Sequence, residues 1–252
     1  MEAYHAANAL RLRAAASDRR DWRRLEQNIM RGGTRAFVAV PWTQDLSIDT
    51  TEFDVAWRLI FGGMTSVMTE RIDHPEHGFR WRGERMEWAF AGALHDCLPP
   101  GSATTREKPP PELHPLGAAR PDTGECADVD VITRTGRRFV VDVRTVNVQC
   151  ASAVRSSAQA QCTAIEASKR KHYDKYYRSF APFVMTVSGG VSQASAEALM
   201  RVMRAVARAD HSILDWEPAR WMDDILHRLA VEMVKTAAVI ATRAVLADSQ
   251  HE

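Results

Sequence analysis

Neither sign of charge dominates this 252-residue chain: 33 Lys and Arg stand against 32 Asp and Glu, a formal net charge of +1. That balance excludes the bulk basicity of many nucleic-acid binders, so any surface for a polyanion has to be local. Cysteine is scarce. Cys97, Cys126, Cys150 and Cys162 show no C-x-x-C spacing, which argues against a disulfide framework and against a self-contained zinc site. No apolar run approaches the ~20 residues of a membrane-spanning helix. The Met1-Glu2 start has no charged-then-apolar leader. Internal repeats and low-complexity tails are also missing. The expectation is a soluble intracellular protein without a membrane partner.

What is present is a hydrophobic content of 45%, enough for one sizeable core with an appended region. Residues 1–78 read as a mainly helical N-terminal extension. It opens with an arginine-rich helix over Tyr4 to Met30, docked on the rest or reaching toward phosphate, and continues with a short strand at Phe37 to Pro41. Asp49-Thr50-Thr51-Glu52 reads as a helix start. Residues 79–252 read as an α/β domain. A helix spans Gly83 to Leu98, a strand Thr104 to Lys108, and Pro109-Pro110-Pro111 forces an extended loop. Two strands, a helix and a further strand at Phe183 to Val187 follow. Two helices close the chain, over Ala194 to Ala209 and from Pro218 to Leu246, with Pro218 in the first turn. This order predicts a mixed central sheet flanked by helices on both faces.

The stretch from Cys126 to Tyr177 carries the chemistry. Val129, Val131 and Ile132, then Phe139, Val140, Val141 and Val143, suit a pleated surface. A three-residue loop, Arg134-Thr135-Gly136, puts Gly136 at the left-handed position such loops favour. That register sets Asp128 opposite Asp142, on one face, with Cβ atoms about 5 Å apart. A two-residue loop would instead set Val129 opposite Asp142. Opposed carboxylates repel unless a proton or a cation lies between them. Asp142 interrupts an apolar run that reads as a strand buried on both sides, and a buried carboxylate without a partner is costly. Asp130 reads as part of a solvated strand face.

Ile165, Lys169, Tyr173, Tyr176, Tyr177 and Phe180 recur at helical spacing. Lys169 lies within that apolar stripe. Either its stem packs while the ammonium reaches water, or the ammonium stabilises developing negative charge. Lys171, Lys175 and Arg178 fall on another face, toward solvent or phosphate. Two acids and a lysine around a twisted sheet are what a metal-dependent nuclease needs.

These residues resemble a known family. Ala127-Asp128-Val129, Asp142-Val143, Lys169-Arg170-Lys171-His172-Tyr173, Pro182-Phe183-Val184 and Gly189-Gly190 are similar to the restriction-like endonuclease domain of site-specific LINE-type retrotransposons. That domain is a branch of the PD-(D/E)XK nuclease superfamily. The resemblance implies that Asp128 and Asp142 bind Mg²⁺ or Mn²⁺. It also implies a catalytic lysine on the helix, with Lys169 the best match and Lys171 second. Arg144 stands where many superfamily members carry that lysine, and Glu87 on the first helix is a candidate to approach the metal. Pro121-Asp122, though a literal Pro-Asp pair, lies in a loop-like stretch. The family's zinc knuckle would fall near His74 and His77, where no cysteine stands.

The implied function is a metal-dependent DNA endonuclease of retrotransposon origin, intracellular and nuclear. Asp128, Asp142, Lys169 and Tyr173 would be catalytic, and Lys171, Lys175 and Arg144 would contact DNA. The alternative is a catalytically inactive module of the same fold that binds nucleic acid or a protein. A third reading has the Tyr173-Tyr176-Tyr177 stripe and the last helix facing a protein partner or a second copy of the chain. Because the cysteines lack ligand spacing, elemental analysis of the purified protein is expected to find no stoichiometric zinc. One zinc per chain would overturn that reading.

Overall fold

The centre of the molecule is a hairpin whose turn is closed from both sides. The computed structural model describes residues 26, 30, 47–61, 80–98, 103–105, 127–148, 156–209 and 217–248. Thr133 N–H donates to the Arg137 carbonyl at 2.8 Å, and Gly136 N–H donates to the Thr133 carbonyl at 2.8 Å. The Thr133 hydroxyl accepts from Arg137 N–H at 3.0 Å. Gly136 has φ +79°, a conformation in which any Cβ crowds the following carbonyl. The loop is therefore the three-residue one, and the register pairs Val129 with Val141 and Val131 with Phe139.

The chain runs α1 (Thr50–Phe61), α2 (Arg80–Cys97), β1 (Ala103–Thr105), β2 (Val129–Ile132) and β3 (Arg138–Val146). It continues with α3 (Ala158–Tyr173), β4 (Phe180–Thr186), α4 (Gln193–Ala209) and α5 (Pro218–Asp248). The sheet order is β1-β2-β3-β4. β1 and β3 run antiparallel to β2, and β4 runs parallel to β3. This is a mixed α/β architecture. α1 starts with reciprocal capping: Asp49 N–H donates to Glu52 Oε2 at 2.9 Å, and Glu52 N–H to Asp49 Oδ1 at 2.8 Å.

The two faces of the sheet are built differently. On one, Val129, Val131, Phe139, Val141, Val143, Phe183 and Met185 meet apolar side chains of α2, α4 and α5. The Phe90 and Phe183 rings lie 4.8 Å apart there. On the other, Val140 and Phe180 pack with Ala127, Tyr173, Tyr176 and Tyr177. α1 docks on α5 through Ala56 against Ala230, Val231 and Val234.

Several expectations need correction. The helix carrying Lys169 ends at Tyr173, where Tyr176 N–H and Tyr177 N–H both turn back to the Tyr173 carbonyl at 2.8 and 3.0 Å. Tyr176 and Tyr177 lie in the ensuing turn, and Phe180 opens β4. The aromatic spacing persists because turn and strand pack on the same sheet face as the helix. Tyr173, Tyr176 and Tyr177 are buried, so this stripe does not face a partner. β1 covers Ala103–Thr105, starting one residue earlier than the strand expected over Thr104 to Lys108, of which residues 106–108 lie outside the described residues. Apart from Glu26 and Met30, the arginine-rich segment lies outside the described residues. So do Phe37 to Pro41, His74, His77, Pro109-Pro110-Pro111, Pro121-Asp122 and the 78/79 boundary.

β4 is an edge strand whose outward groups are met locally. Val184 N–H donates to Ser195 Oγ at 2.8 Å. Ser192 N–H donates to the Val184 carbonyl at 3.4 Å and Thr186 N–H to the Gly190 carbonyl at 2.7 Å. Ser195 Oγ in turn donates to Glu166 Oε1 at 2.5 Å, and the Ser192 hydroxyl donates to the same oxygen. Buried Glu166 thus ties α3 to the start of α4.

The turn carries a stability expectation. No atom lies within 4 Å of a Cβ built at Gly136, so Gly136→Ala is penalised by backbone conformation alone. Urea unfolding is expected to show a loss of about 1–2 kcal/mol, with Gly136→Asn less costly. An Ala variant as stable as the parent would contradict the left-handed turn.

Candidate active site

Asp142 occupies the middle of β3 and is 2% exposed. Its neighbour across the parallel ladder is Pro182. The side chain points to the α3 face, because Val141 and Val143 on either side belong to the opposite core. Lys169 Nζ, from the last turn but one of α3, lies 3.1 Å from Asp142 Oδ1 and 2.9 Å from Oδ2. The Lys169 side chain keeps 29% of its surface exposed. Of the two sequence readings of Lys169, the geometry puts its ammonium on the acid rather than in water alone. α3 is fixed at its start by Ser157, whose hydroxyl accepts from Ala160 N–H at 3.0 Å, and by Glu26, which accepts from Ala158 N–H at 3.0 Å.

Asp128 lies one residue before β2. Continuing the hairpin register sets it opposite Asp142. Its Oδ2 accepts a hydrogen bond from Val143 N–H at 2.6 Å, which orients the carboxylate toward β3. Tyr173, one turn beyond Lys169, hydrogen-bonds Asp142, and its ring centre lies 5.5 Å from Lys169 Nζ. The four expected catalytic residues therefore come from three elements to one place.

The electrostatics are those of two acids that resist ionising together. Burial raises the Asp128 carboxyl, the Asp142 charge adds to this, and Glu87 adds further; together they push it up to about 8. The Val143 N–H and Lys169 pull the other way. Burial also raises Asp142, opposed first by Lys169 and then by Arg144 and Tyr173. Glu87 of α2 is thus close enough to be felt at Asp128. Arg144 is exposed, two residues beyond Asp142 and on its face. Lys171 and Lys175 are exposed as well, with Lys175 Nζ 4.7 Å from the Tyr176 ring centre. None of these three makes the ion pair that Lys169 makes.

Asp130 corrects an expectation. It is 1% exposed, not part of a solvated face, and pairs with Arg138. The two sit diagonally across the hairpin: Asp130 is opposite Val140, and Arg138 opposite Ile132. A salt bridge reaching past the direct partner is not visible in strand spacing alone. The buried carboxylate of Glu166 also went unsuspected, because its hydroxyl partners lie 26 and 29 residues away.

Two buried or near-buried carboxylates that disfavour joint ionisation are a hard-oxygen donor pair suited to a small divalent cation. Among the described residues, no three His, Cys, Asp or Glu side chains gather as a ligand group. A cation at Asp128 and Asp142 would complete its shell with water or substrate oxygens, as Mg²⁺ commonly does. The described thiols are poor ligands: burial pushes Cys97 up to about 11 and Cys162 up to about 12. Cys126 and Cys150 lie outside the described residues. No family model, curated protein or solved structure gives a significant match to this chain.

The raised Asp128 carboxyl has a definite sign. The fold holds its proton up to about pH 8, whereas an unfolded Asp releases it near pH 3.9. Its contribution to stability is full below the unfolded value and is lost as pH rises through the folded one. In EDTA, wild-type stability is expected to fall between about pH 4 and 8. Asp128→Asn should remove much of that slope. Parallel urea titrations across this range check it; equal slopes would contradict the assignment.

Proposed function

We propose that this chain is a divalent-metal-dependent DNA endonuclease. One observation carries the reading: Asp128 and Asp142 oppose each other beneath α3, and the Lys169 ammonium contacts Asp142. The α-β-β-β-α-β order from α2 to β4 and the motif resemblance support the finer assignment to the PD-(D/E)XK fold of retrotransposon endonucleases. DNA as substrate implies a nuclear location.

Asp128 and Asp142 would hold Mg²⁺ or Mn²⁺. When bound, such an ion supplies Lewis-acid polarisation of the phosphoryl group and favours ionisation of water. The chain's own residues have separate tasks. Val143 N–H holds Asp128 in orientation. Tyr173 holds Asp142, leaving the partly exposed Lys169 ammonium able to stabilise negative charge that develops on a phosphate. Lys171, Lys175 and Arg144 supply exposed positive charge for the DNA backbone.

The second reading is a catalytically inactive module that binds nucleic acid or a protein. It is favoured by the close approach of Lys169 to both Asp142 oxygens, an arrangement that already balances the acid.

A plasmid-nicking assay with Mg²⁺, Mn²⁺ and EDTA separates the two. Metal-dependent nicking is expected, with Asp142→Asn abolishing it. Lys169→Met should lower it by at least about 100-fold. Because that variant leaves a buried acid unpaired, its fold is checked by circular dichroism. Lys171→Met should weaken DNA binding, most visibly at higher salt, with turnover at saturating DNA nearly unchanged. Absence of metal-dependent nicking by the wild-type protein, or nicking untouched in Asp142→Asn, would overturn the nuclease reading.

A further inference from the structure

A second concave surface lies at the other end of the hairpin. It is an open cleft of about 600 Å³ between the starts of β3 and β4 and the outer face of α4. Arg137, Arg201, Arg204 and Arg208 line it, and among the described residues no Asp or Glu does. All four arginines are exposed. Arg201, Arg204 and Arg208 fall on one face of α4, at intervals of three and four residues. Arg137 comes from the hairpin, with its guanidinium 4.8 Å from the Phe139 ring centre. No ion pair joins any of the four to another described residue. Phe139, with small apolar residues, forms the floor.

The cleft is separate from the acid pair. Arg137 precedes Asp142 by five residues, about 17 Å of extended chain. The cleft also opens toward α4, whereas Asp142 faces α3. Helix polarity alone explains a cation such as Arg208 in the last turn of α4. It does not explain Arg137 arriving from another element. The volume lies within the range of about 300–1,000 Å³ usual for small-ligand sites. Planar guanidinium groups match phosphate bidentately, while the apolar floor suits the body of a base. A duplex would lie across such a cleft, whereas an unpaired nucleotide can enter it.

We propose that this cleft binds unpaired nucleotide units of a single-stranded nucleic acid, independently of any chemistry at Asp128 and Asp142. The test uses the full chain in EDTA and a short fluorescein-labelled oligothymidylate, read by fluorescence anisotropy at a series of salt concentrations. Wild-type protein is expected to bind. Arg201→Ala combined with Arg204→Ala should weaken binding at least about tenfold and reduce the salt slope by about 1.4, the loss of two single-strand phosphate contacts. Binding is read in EDTA, without turnover, so failure of the nuclease reading leaves this result intact. Thymidine monophosphate that competes equally, per nucleotide, would support the site with a free nucleotide as occupant. No binding by wild type, binding unaffected by the double substitution, or equal competition by an oligoglutamate peptide would each overturn the proposal.

Discussion

The structure depends on a repulsion that a proton on Asp128 relieves up to about pH 8. Two carboxylates are brought to one face of a sheet, one buried and the other nearly so, and only one receives an ammonium. At an effective dielectric of 20, like charges 4 Å apart repel by about 4 kcal/mol, several times the cost of an ordinary turn residue. Sheet geometry gives neither acid an escape. Asp142 cannot rotate to the other face without displacing Val141 or Val143 from the core. Asp128 is held by the Val143 amide. The larger core around Phe90 and Phe183 supplies the apolar burial that makes such an arrangement tolerable.

Much of this was readable before any coordinates because it is decided locally. Gly136 has to follow Arg134-Thr135 in a left-handed conformation, and that one torsion fixes the loop length. Loop length fixes the register, which sets Asp128 against Asp142. The 3.6-residue period of α3 placed Lys169 on the packed side and Lys171 outside. The Asp49–Glu52 cap and Pro218 in the first turn of α5 were legible for the same reason: both interactions span three or four residues.

What sequence spacing hid depends on how separate elements meet. Asp130 reads as solvated until the diagonal placement of Arg138 is known. Glu166 looks like one more helix-surface acid until the chain returns to offer Ser192 and Ser195. The aromatic period running from Tyr173 to Phe180 resembles a longer helix, although backbone turns replace it after Tyr173. The basic cleft was invisible because its charge is split between a hairpin and a helix, and the near-zero net charge gave no warning of it.

The local satisfaction of β4 bears on how copies of this chain can associate. In β4, alternate residues turn their amides and carbonyls outward. Pro182 has no amide to offer, and its carbonyl is approached by Ser195 Oγ at 3.4 Å. Val184 and Thr186 spend theirs on Ser195, Ser192 and Gly190. A strand from another molecule would find no regular row of open groups along this border. Growth of the sheet beyond β4, whether into a symmetric dimer or an aggregate, would first require the start of α4 to peel away, breaking the contacts to Glu166. An assembly that leaves this border intact must form elsewhere on the molecule.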